Sequence, residues 1–453
     1  MAGGHSDAWD RKVGLVFDTR PRVALVENRL WMKRKEEQLL RSAVVSPGVH
    51  VCLYGPSGSG KTSLAKSIVA RLSPRSGAHF IFTRVNNSSS WDSFKSQIIE
   101  NKQTPSANDP FDWKIGVKSL LPYFELSGST QSGFFENAIS RADLVERVDI
   151  RHLSDYLIQS NTCLVIDDVH FANDELLTML TSLAKEITDR STSDNSKIVF
   201  VGADDIFLRI MQSNDNLRDR TEEVSLGSIR DYDRKGSAIR NDVVWEFLSN
   251  GISELGLTDP RHDKIITDAQ RKDCMRWIDL AADGLPKSIV KLGRRIAERG
   301  ERRTRISYSD IVDTSKIMIR ENFMYYRSRY RILFNLIKSD AIVQEVCLWM
   351  FKKGASKIHT LDDISNDLYA TASFHMIEEA IKFLVDANFT VVTGSKSNVF
   401  FAKDPLLAHT IGVAISDPDA LDIQREYFLT DKNAQQFLLR FTGEKEPELK
   451  TKV

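Results

Sequence analysis

The sequence predicts an α/β fold: a five-stranded parallel sheet, followed by an α-helical lid and a small C-terminal domain of helices and a hairpin. Three observations predict it. Residues 51–63 read Val-Cys-Leu-Tyr-Gly-Pro-Ser-Gly-Ser-Gly-Lys-Thr-Ser, an apolar run that breaks into a glycine-rich loop and leads into a helical pattern. Short apolar strands then alternate with helical patterns as far as Leu226, which implies a parallel sheet covered on both faces. Beyond Leu226, helical patterns follow one another until a hairpin closes the series.

Taken in order, residues 1–24 are polar and patternless and are expected to form a flexible segment. The nucleotide-binding domain is expected over 25–228. Val26 to Val45 has helical spacing and is stopped by Ser46-Pro-Gly, giving a lead-in helix before a first strand at Val49 to Tyr54. The loop that follows fills the pattern G-x-x-x-x-G-K-[ST] with Gly55, Gly60, Lys61 and Thr62. Pro56, Ser57, Gly58, Ser59 and Ser63 complete the segment expected to wrap a nucleoside triphosphate. Gly58 and Gly60 let backbone N–H groups turn inward, and the helix beginning at Lys61 aims its positive dipole end at the same anion. Lys61 is suited to the β- and γ-phosphates, and the Thr62 hydroxyl to Mg²⁺.

His79 to Val85 reads as the second strand. Residues 86–145 interleave Trp91, Phe111, Trp113, Tyr123, Phe124, Phe134 and Phe135 with Ser, Gly, Asn and Pro, which predicts an element inserted on the domain surface. Its aromatics would form a local core or a protein contact. Asn161 to Asp168 supplies the third strand, and its acidic end, Asp167-Asp168, beside the phosphate loop suggests a magnesium-binding strand end. An amphipathic helix at Glu175 to Asp189, a fourth strand at Lys197 to Ala203 and a fifth at Glu223 to Leu226 complete the sheet. Ligands of such sheets sit at the carboxyl ends of the strands, where Gly55 and Asp167 fall.

The lid is expected over 229–325, with helices at Val243 to Leu255, Ile265 to Ala282, Pro286 to Glu301 and Ser307 to Glu321. Residues 326–420 then give helices at Tyr330 to Lys338, Ala341 to Phe351, Leu361 to Leu368 and Phe374 to Ala387. A hairpin around Phe389 to Thr393 and Asn398 to Ala402 makes this a winged-helix-like domain, followed by a tail over 421–453.

Charge and cysteine usage exclude several function classes. Lys plus Arg and Asp plus Glu are both 62 in 453 residues, so no global field recruits nucleic acid or a membrane surface. The four cysteines form no C-x-x-C pair, against zinc and against a disulfide framework. The N-terminus lacks a signal-peptide pattern and no run of about 18 apolar residues occurs, so a cytoplasmic protein without a membrane partner is expected. One segment departs from neutrality: Lys287 to Arg331 holds thirteen basic residues against five acids. With Tyr325, Tyr326 and Tyr330 among them, it is a candidate surface for nucleic acid. Arg331 to Asp419 holds eight bases against eleven acids, which disfavours DNA reading by the winged-helix-like domain and leaves it for a protein partner.

This set of features resembles the AAA+ ATPases with an ASCE-type sheet, among them bacterial proteins related to replication-initiator, transposition-regulator and STAND-type ATPases. The residues that carry the likeness are the P-loop, Leu164-Val-Ile-Asp-Asp-Val-His170, Ser213-Asn-Asp-Asn-Leu-Arg-Asp-Arg220 and Gly284-Leu-Pro-Lys287. The resemblance implies ATP and Mg²⁺ as cofactors, with Asp167 holding the metal and Asp168 orienting or deprotonating the attacking water. Most of the class has Glu at that second position, and the shorter Asp side chain implies slow hydrolysis or reliance on a bridging water, or at the limit a scaffold that only binds ATP. It also implies an arginine finger, Arg218 or Arg220, reaching a neighbouring subunit, and a sensor-2 base at Lys287; the alternative is that these are ordinary solvated cations. Asp204 and Asp205 occupy the sensor-1 region with the wrong sign for a phosphate. His170 is expected to be structural. The function implied is an ATP-dependent homo-oligomerising switch that signals to a partner or effector protein, the alternative being an ATP-dependent nucleic-acid-binding regulator or loader. A place in antiviral defence is suggested by family association alone.

Overall fold

A computed structural model of the protein describes residues 7–18, 31–99, 148–191 and 195–416. Short breaks fall at 33, 77–78, 204, 230, 233–237, 240–241, 259, 261–265, 302, 355–357, 370–371, 388 and 393–398. Most of the 86–145 segment, six of its seven aromatics and the tail lie outside the described residues. The chain divides into two compact units, Arg20–Leu226 and Met1–Thr19 with Gly227–Val453.

In the first unit, β1 (His50–Tyr54), β2 (His79–Arg84), β3 (Thr162–Asp167), β4 (Lys197–Gly202) and β5 (Thr221–Ser225) form one sheet in the order β2-β3-β4-β1-β5. Every neighbouring pair is parallel. The expected five-stranded parallel sheet is therefore present, with β4 inserted between the strand that feeds the glycine loop and the strand that ends in Asp167.

Alternation along β1 explains why both faces are covered. Val51 and Leu53 pack with Leu64 and Ile68 of α3 (Lys61–Ser76) and Leu40 of α2 (Glu36–Val45). Cys52 and Tyr54 point to the other face. There they join α4 (Trp91–Ile99), α5 (Ile150–Gln159), α6 (Asp174–Arg190) and α7 (Ile206–Ser213).

Two expectations change in this unit. The lead-in helix starts at Glu36, not Val26: residues 31, 32 and 34 are not helical, and the Trp31 indole donates to Glu37 Oε2 at 3.1 Å. Nor is the start of the supposed surface insert on the surface. Phe94 and Ile98 of α4 are fully buried against the sheet, because their spacing puts both on the face that meets it.

In the second unit, residues expected to be flexible form α1 (Asp7–Val16). Val13 and Phe17 are fully buried, and the Phe17 ring lies edge-on to Phe247 at 6.0 Å. Gly251 and Gly293 make room for it, since a Cβ on either would come within 2.5 Å of that ring. The polar composition concealed the helix because two apolar side chains suffice to anchor it.

The next elements are a short antiparallel pair, β6 (Asp231–Tyr232) and β7 (Ala238–Ile239), and four helices. These are α8 (Asp242–Glu254), α9 (Asp268–Ala282), α10 (Pro286–Glu298) and α11 (Tyr308–Arg329). Capping boxes at Thr267/Gln270 and Ser307/Asp310 set the starts of α9 and α11. Helix α11 runs through the expected domain boundary at 325/326, and the break comes at Tyr330.

Then follow α12 (Arg331–Ser339), α13 (Ala341–Lys353), β8 (Ile358–Thr360), α14 (Leu361–Leu368), α15 (Phe374–Asp386), β9 (Thr390–Val392), β10 (Val399–Ala402) and α16 (Pro405–Ser416). The three strands pair antiparallel in the order β8-β10-β9. Strand β8 and helix α16 are additional to the elements expected. His409 of α16 lies in a core shared with the lid helices, its Nδ1 3.1 Å from Asp283 Oδ1 and its Nε2 3.0 Å from the Leu280 carbonyl. No described helix is long and apolar enough to cross a membrane.

Candidate nucleotide site

The site lies at the carboxyl ends of β1 and β3. Gly55 leaves β1 with φ +152°, and a Cβ there would meet the Leu226 carbonyl oxygen at 2.1 Å. Leu226 approaches that closely because its N–H donates to the Tyr54 carbonyl at 2.7 Å, extending the pairing of β5 with β1. Gly58 and Gly60 also have positive φ, +83° and +90°, so the loop turns its amides inward as the motif requires. Pro56 and Ser59 are buried and Ser57 is exposed. The Ser59 hydroxyl is fully buried and has no hydrogen-bond partner among the described residues, so the loop holds a polar atom that an anion could satisfy.

The Lys61 ammonium donates to the carbonyls of Gly55 and Pro56, at 2.8 Å each. It thus spans the mouth of the loop, where phosphate oxygens are the alternative acceptors. Thr62 donates its hydroxyl to both Asp167 oxygens, at 2.9 and 3.1 Å. A hydroxyl and a carboxylate converging at the start of α3 are the oxygen donors that Mg²⁺ takes when phosphate and water complete its shell. The residues fit that ion. Burial pushes the Asp167 carboxyl up, and the charge of Asp168 adds to the effect, so a cation would relieve both. Ser63 is half-buried in the first turn of the same helix.

Asp168 leaves β3 in the left-handed region, φ 58° and ψ 32°, with its N–H donating to Asp167 Oδ1 at 3.0 Å. Its own carboxylate is held by Arg84, the last residue of β2. Arg84 Nε lies 2.6 Å and Nη2 2.5 Å from Asp168 Oδ2. The hydrogen bond to Asp168, then its charge, pushes the Arg84 guanidinium up. Sequence reasoning did not single out Arg84; the signal available was a cation ending the strand in register with Asp167.

A second cation that the sequence does not single out is Arg209, on α7. It donates to the carbonyls of His170 at 3.0 Å and Ala172 at 2.8 Å, bracing the turn that follows Asp168. His170 lies in that turn with its ring 4.1 Å from Phe171, and burial lowers its pKa. Asp204 lies outside the described residues, and Asp205 precedes α7 without a side-chain cap bond.

Arg218 and Arg220 sit in a 3-10 turn, Asp215–Arg220, that enters β5. Thr221 pairs with His50 and Ser225 with Tyr54, so the arginines lie at the end of the sheet opposite the glycine loop. About 13 Å of strand intervenes. The structure does not bring them to their own chain's phosphate site. Arg220 forms an ion pair with Asp189, and Arg218 is exposed. Lys287 is exposed in the first turn of α10, in the other unit.

The glycine loop, the interposed β4 and the paired acids at the end of β3 define a P-loop nucleotide-binding domain. Residues 47–210 match the family described as AAA domain, so this region is an AAA+ P-loop ATPase domain. No curated protein matches the chain. Among solved structures, a Walker-type ATPase of Pyrococcus abyssi is similar at 14% identity and a TM-score of 0.49, over 87% of this chain and 99% of that one. Cdc6p of Pyrobaculum aerophilum is similar at 15% identity and a TM-score of 0.39, over 90% and 98%. Drosophila ORC bound to DNA is similar at 11% and 0.36, over 91% and 94%.

Proposed function

We propose that the protein is an ATP-hydrolysing AAA+ switch in which bound ATP favours assembly with further copies and slow hydrolysis releases it. In this reading the C-terminal region, a winged-helix-like module, relays the state to a protein partner. The observation that carries it is the Asp167–Asp168 pair: one acid accepts from Thr62, as a magnesium site would use it, while the carboxylate of the other is engaged by Arg84. Bound Mg²⁺ would neutralise phosphate charge. Lys61 would exchange the Gly55 and Pro56 carbonyls for phosphate oxygens, and Asp168 would take the proton of the attacking water. That last step needs the Arg84 ion pair to open, so basal turnover is slow. Arg218, with Arg220 as the second candidate, would act on the site of a neighbouring copy.

The test combines phosphate release with mass measurement by light scattering. Wild-type protein with ATP and Mg²⁺ gives larger particles than without nucleotide, and Lys61→Ala loses both the growth and the nucleotide binding. A particle mass indifferent to ATP refutes the switch.

The basic segment supports the nucleic-acid reading less than its composition implied. Arg294 pairs with Glu298, Arg295 with Glu321 and Arg303 with Asp310, so part of the excess is neutralised within the unit.

A further inference from the structure

Two exposed surfaces of the second unit have opposite charge and the same unusual apolar content. The first is built by α14 and α15. Along α15, Ile377, Ala380, Ile381 and Leu384 are buried. Helical spacing places the exposed carboxylates of Glu378, Glu379 and Asp386 on the outer arc, with His375 facing both glutamates and Lys382 beside them, between Phe374 on one side and Met376 with Phe383 on the other. Those three apolar side chains are 49%, 44% and 50% exposed, and Tyr369, just after α14, is 84% exposed. Leu361 to Asp386 contains six acids and one lysine.

The second surface is the corner where α11 ends and α12 begins. Arg320, Arg327, Arg329 and Arg331 are exposed there, with Glu321 paired to Arg295 and Asp404 accepting from the Tyr326 hydroxyl at 3.3 Å. Met324, Tyr325 and Ile332 are exposed among them, Ile332 at 84%. Arg329 donates to the Tyr325 hydroxyl at 2.8 Å and lies over the Tyr325 and Tyr330 rings, which ties one guanidinium to the exposed aromatic surface.

Among the described residues of this unit, the large apolar side chains that are exposed number nine, and seven of them fall on these two surfaces. Exposed apolar groups clustered among charges of one sign are the composition of a docking surface, and here each supplies the complement of the other. The acidic pair of helices repels a phosphate backbone, which removes the groove-reading use of such helices.

We propose that the acidic–apolar surface of α14 and α15 docks on the basic–apolar α11–α12 corner of a second copy of this chain. The contact is heterologous: each copy offers one surface and receives the other, so successive copies form a ring or an open row. This rests on the assembling-ATPase reading above and supplies the surfaces that such an assembly would use.

The experiment is sedimentation velocity of the full chain with ATP and Mg²⁺, at about 50 mM and about 500 mM salt, since screening weakens contacts between exposed charges. Wild type associates more weakly at the higher salt. Glu378→Arg with Glu379→Arg weakens association by about tenfold or more, and Arg327→Glu with Arg329→Glu does the same. Mixing the two variants restores it, because the reversed surfaces now match each other. Circular dichroism confirms that each variant is folded, and the four changes combined in one chain also restore association.

Variants that assemble like wild type, or a folded mixture that stays dissociated, overturn the proposal. So does a basic-corner variant that loses retention of duplex DNA while assembling normally. Lys61→Ala separates the two readings. Charge-sensitive association that ignores both ATP and Lys61 keeps this contact and removes the switch; ATP-dependent association indifferent to the charge changes does the reverse.

Discussion

Arg84→Ala tests the restraint on Asp168 directly. The guanidinium contacts a single carboxylate oxygen through Nε and Nη2, and its side chain is 73% exposed while that of Asp168 is 18% exposed. An ion pair exposed on one side contributes up to about 1 kcal/mol, far below what a dry pair would give. If Asp168 must leave Arg84 before it can accept a proton from water, removing the arginine lowers the barrier by that amount. The expected gain in kcat is then about fivefold. The assay is steady-state phosphate release at saturating ATP and Mg²⁺, with nucleotide affinity measured separately by titration. Affinity should change little, because Arg84 touches Asp168 and not the P-loop. Asp168→Asn supplies the baseline, with hydrolysis reduced about a hundredfold or more and binding retained. A fall in kcat in Arg84→Ala at unchanged affinity refutes the reasoning, since it would mean that Arg84 holds Asp168 in its working position.

Gly55→Ala should weaken nucleotide binding by at least about tenfold, because its Cβ would collide with a backbone carbonyl in a conformation that L residues avoid; isothermal titration reads this directly. His50 is buried, donates Nε2–H toward the Ala184 carbonyl and accepts the Ile198 N–H at Nδ1, and burial pulls its pKa down to about 4. Between pH about 6.5 and about 4 the unfolded chain takes up a proton that the folded chain refuses, so stability falls by up to about 3 kcal/mol as pH drops through that window. Denaturant titrations of wild type and His50→Gln should show that slope in the former and a shallower one in the latter. The His409–Asp283 pair is 1% exposed on both sides, so His409→Gln or Asp283→Asn alone should cost about 3 kcal/mol, with the double change costing less than the sum. Asn is the appropriate replacement at 283 because the backbone there has φ 49°, which Asn tolerates.

The parts of the fold legible in the sequence were those in which one short segment carries the whole signal. Val51 to Thr62 specifies a strand, three inward-turning glycines and a helix start without help from elsewhere, and Leu164 to Asp168 specifies a buried strand ending in acid. The parts that were not legible depend on partners distant in sequence. Phe17 looks like an isolated aromatic in a polar segment until Phe247, Gly251 and Gly293 are placed around it. Trp91 to Ile99 reads as part of the polar stretch that follows, although Phe94 and Ile98 alone commit it to the core. Arg84 reads as a surface cation near the end of the second strand. Only the register of β2 against β3, which sets Arg84 opposite Asp167, places it beside Asp168.

The same register gives Arg84 a position from which to act as a timing element. It belongs to an edge strand of the sheet, and its side chain is largely exposed while its guanidinium pairs with Asp168. Asp168 pays for its left-handed backbone whether or not the ion pair is closed, and Asp tolerates that conformation better than most residues. Opening the pair therefore requires only a rotation of one long side chain, at a cost of about 1 kcal/mol. A competing carboxylate or phosphate brought near Arg84 by a neighbouring copy would meet that cost. Assembly would then speed hydrolysis, and the Arg84→Ala protein, already released, would lose that stimulation while keeping its higher basal rate.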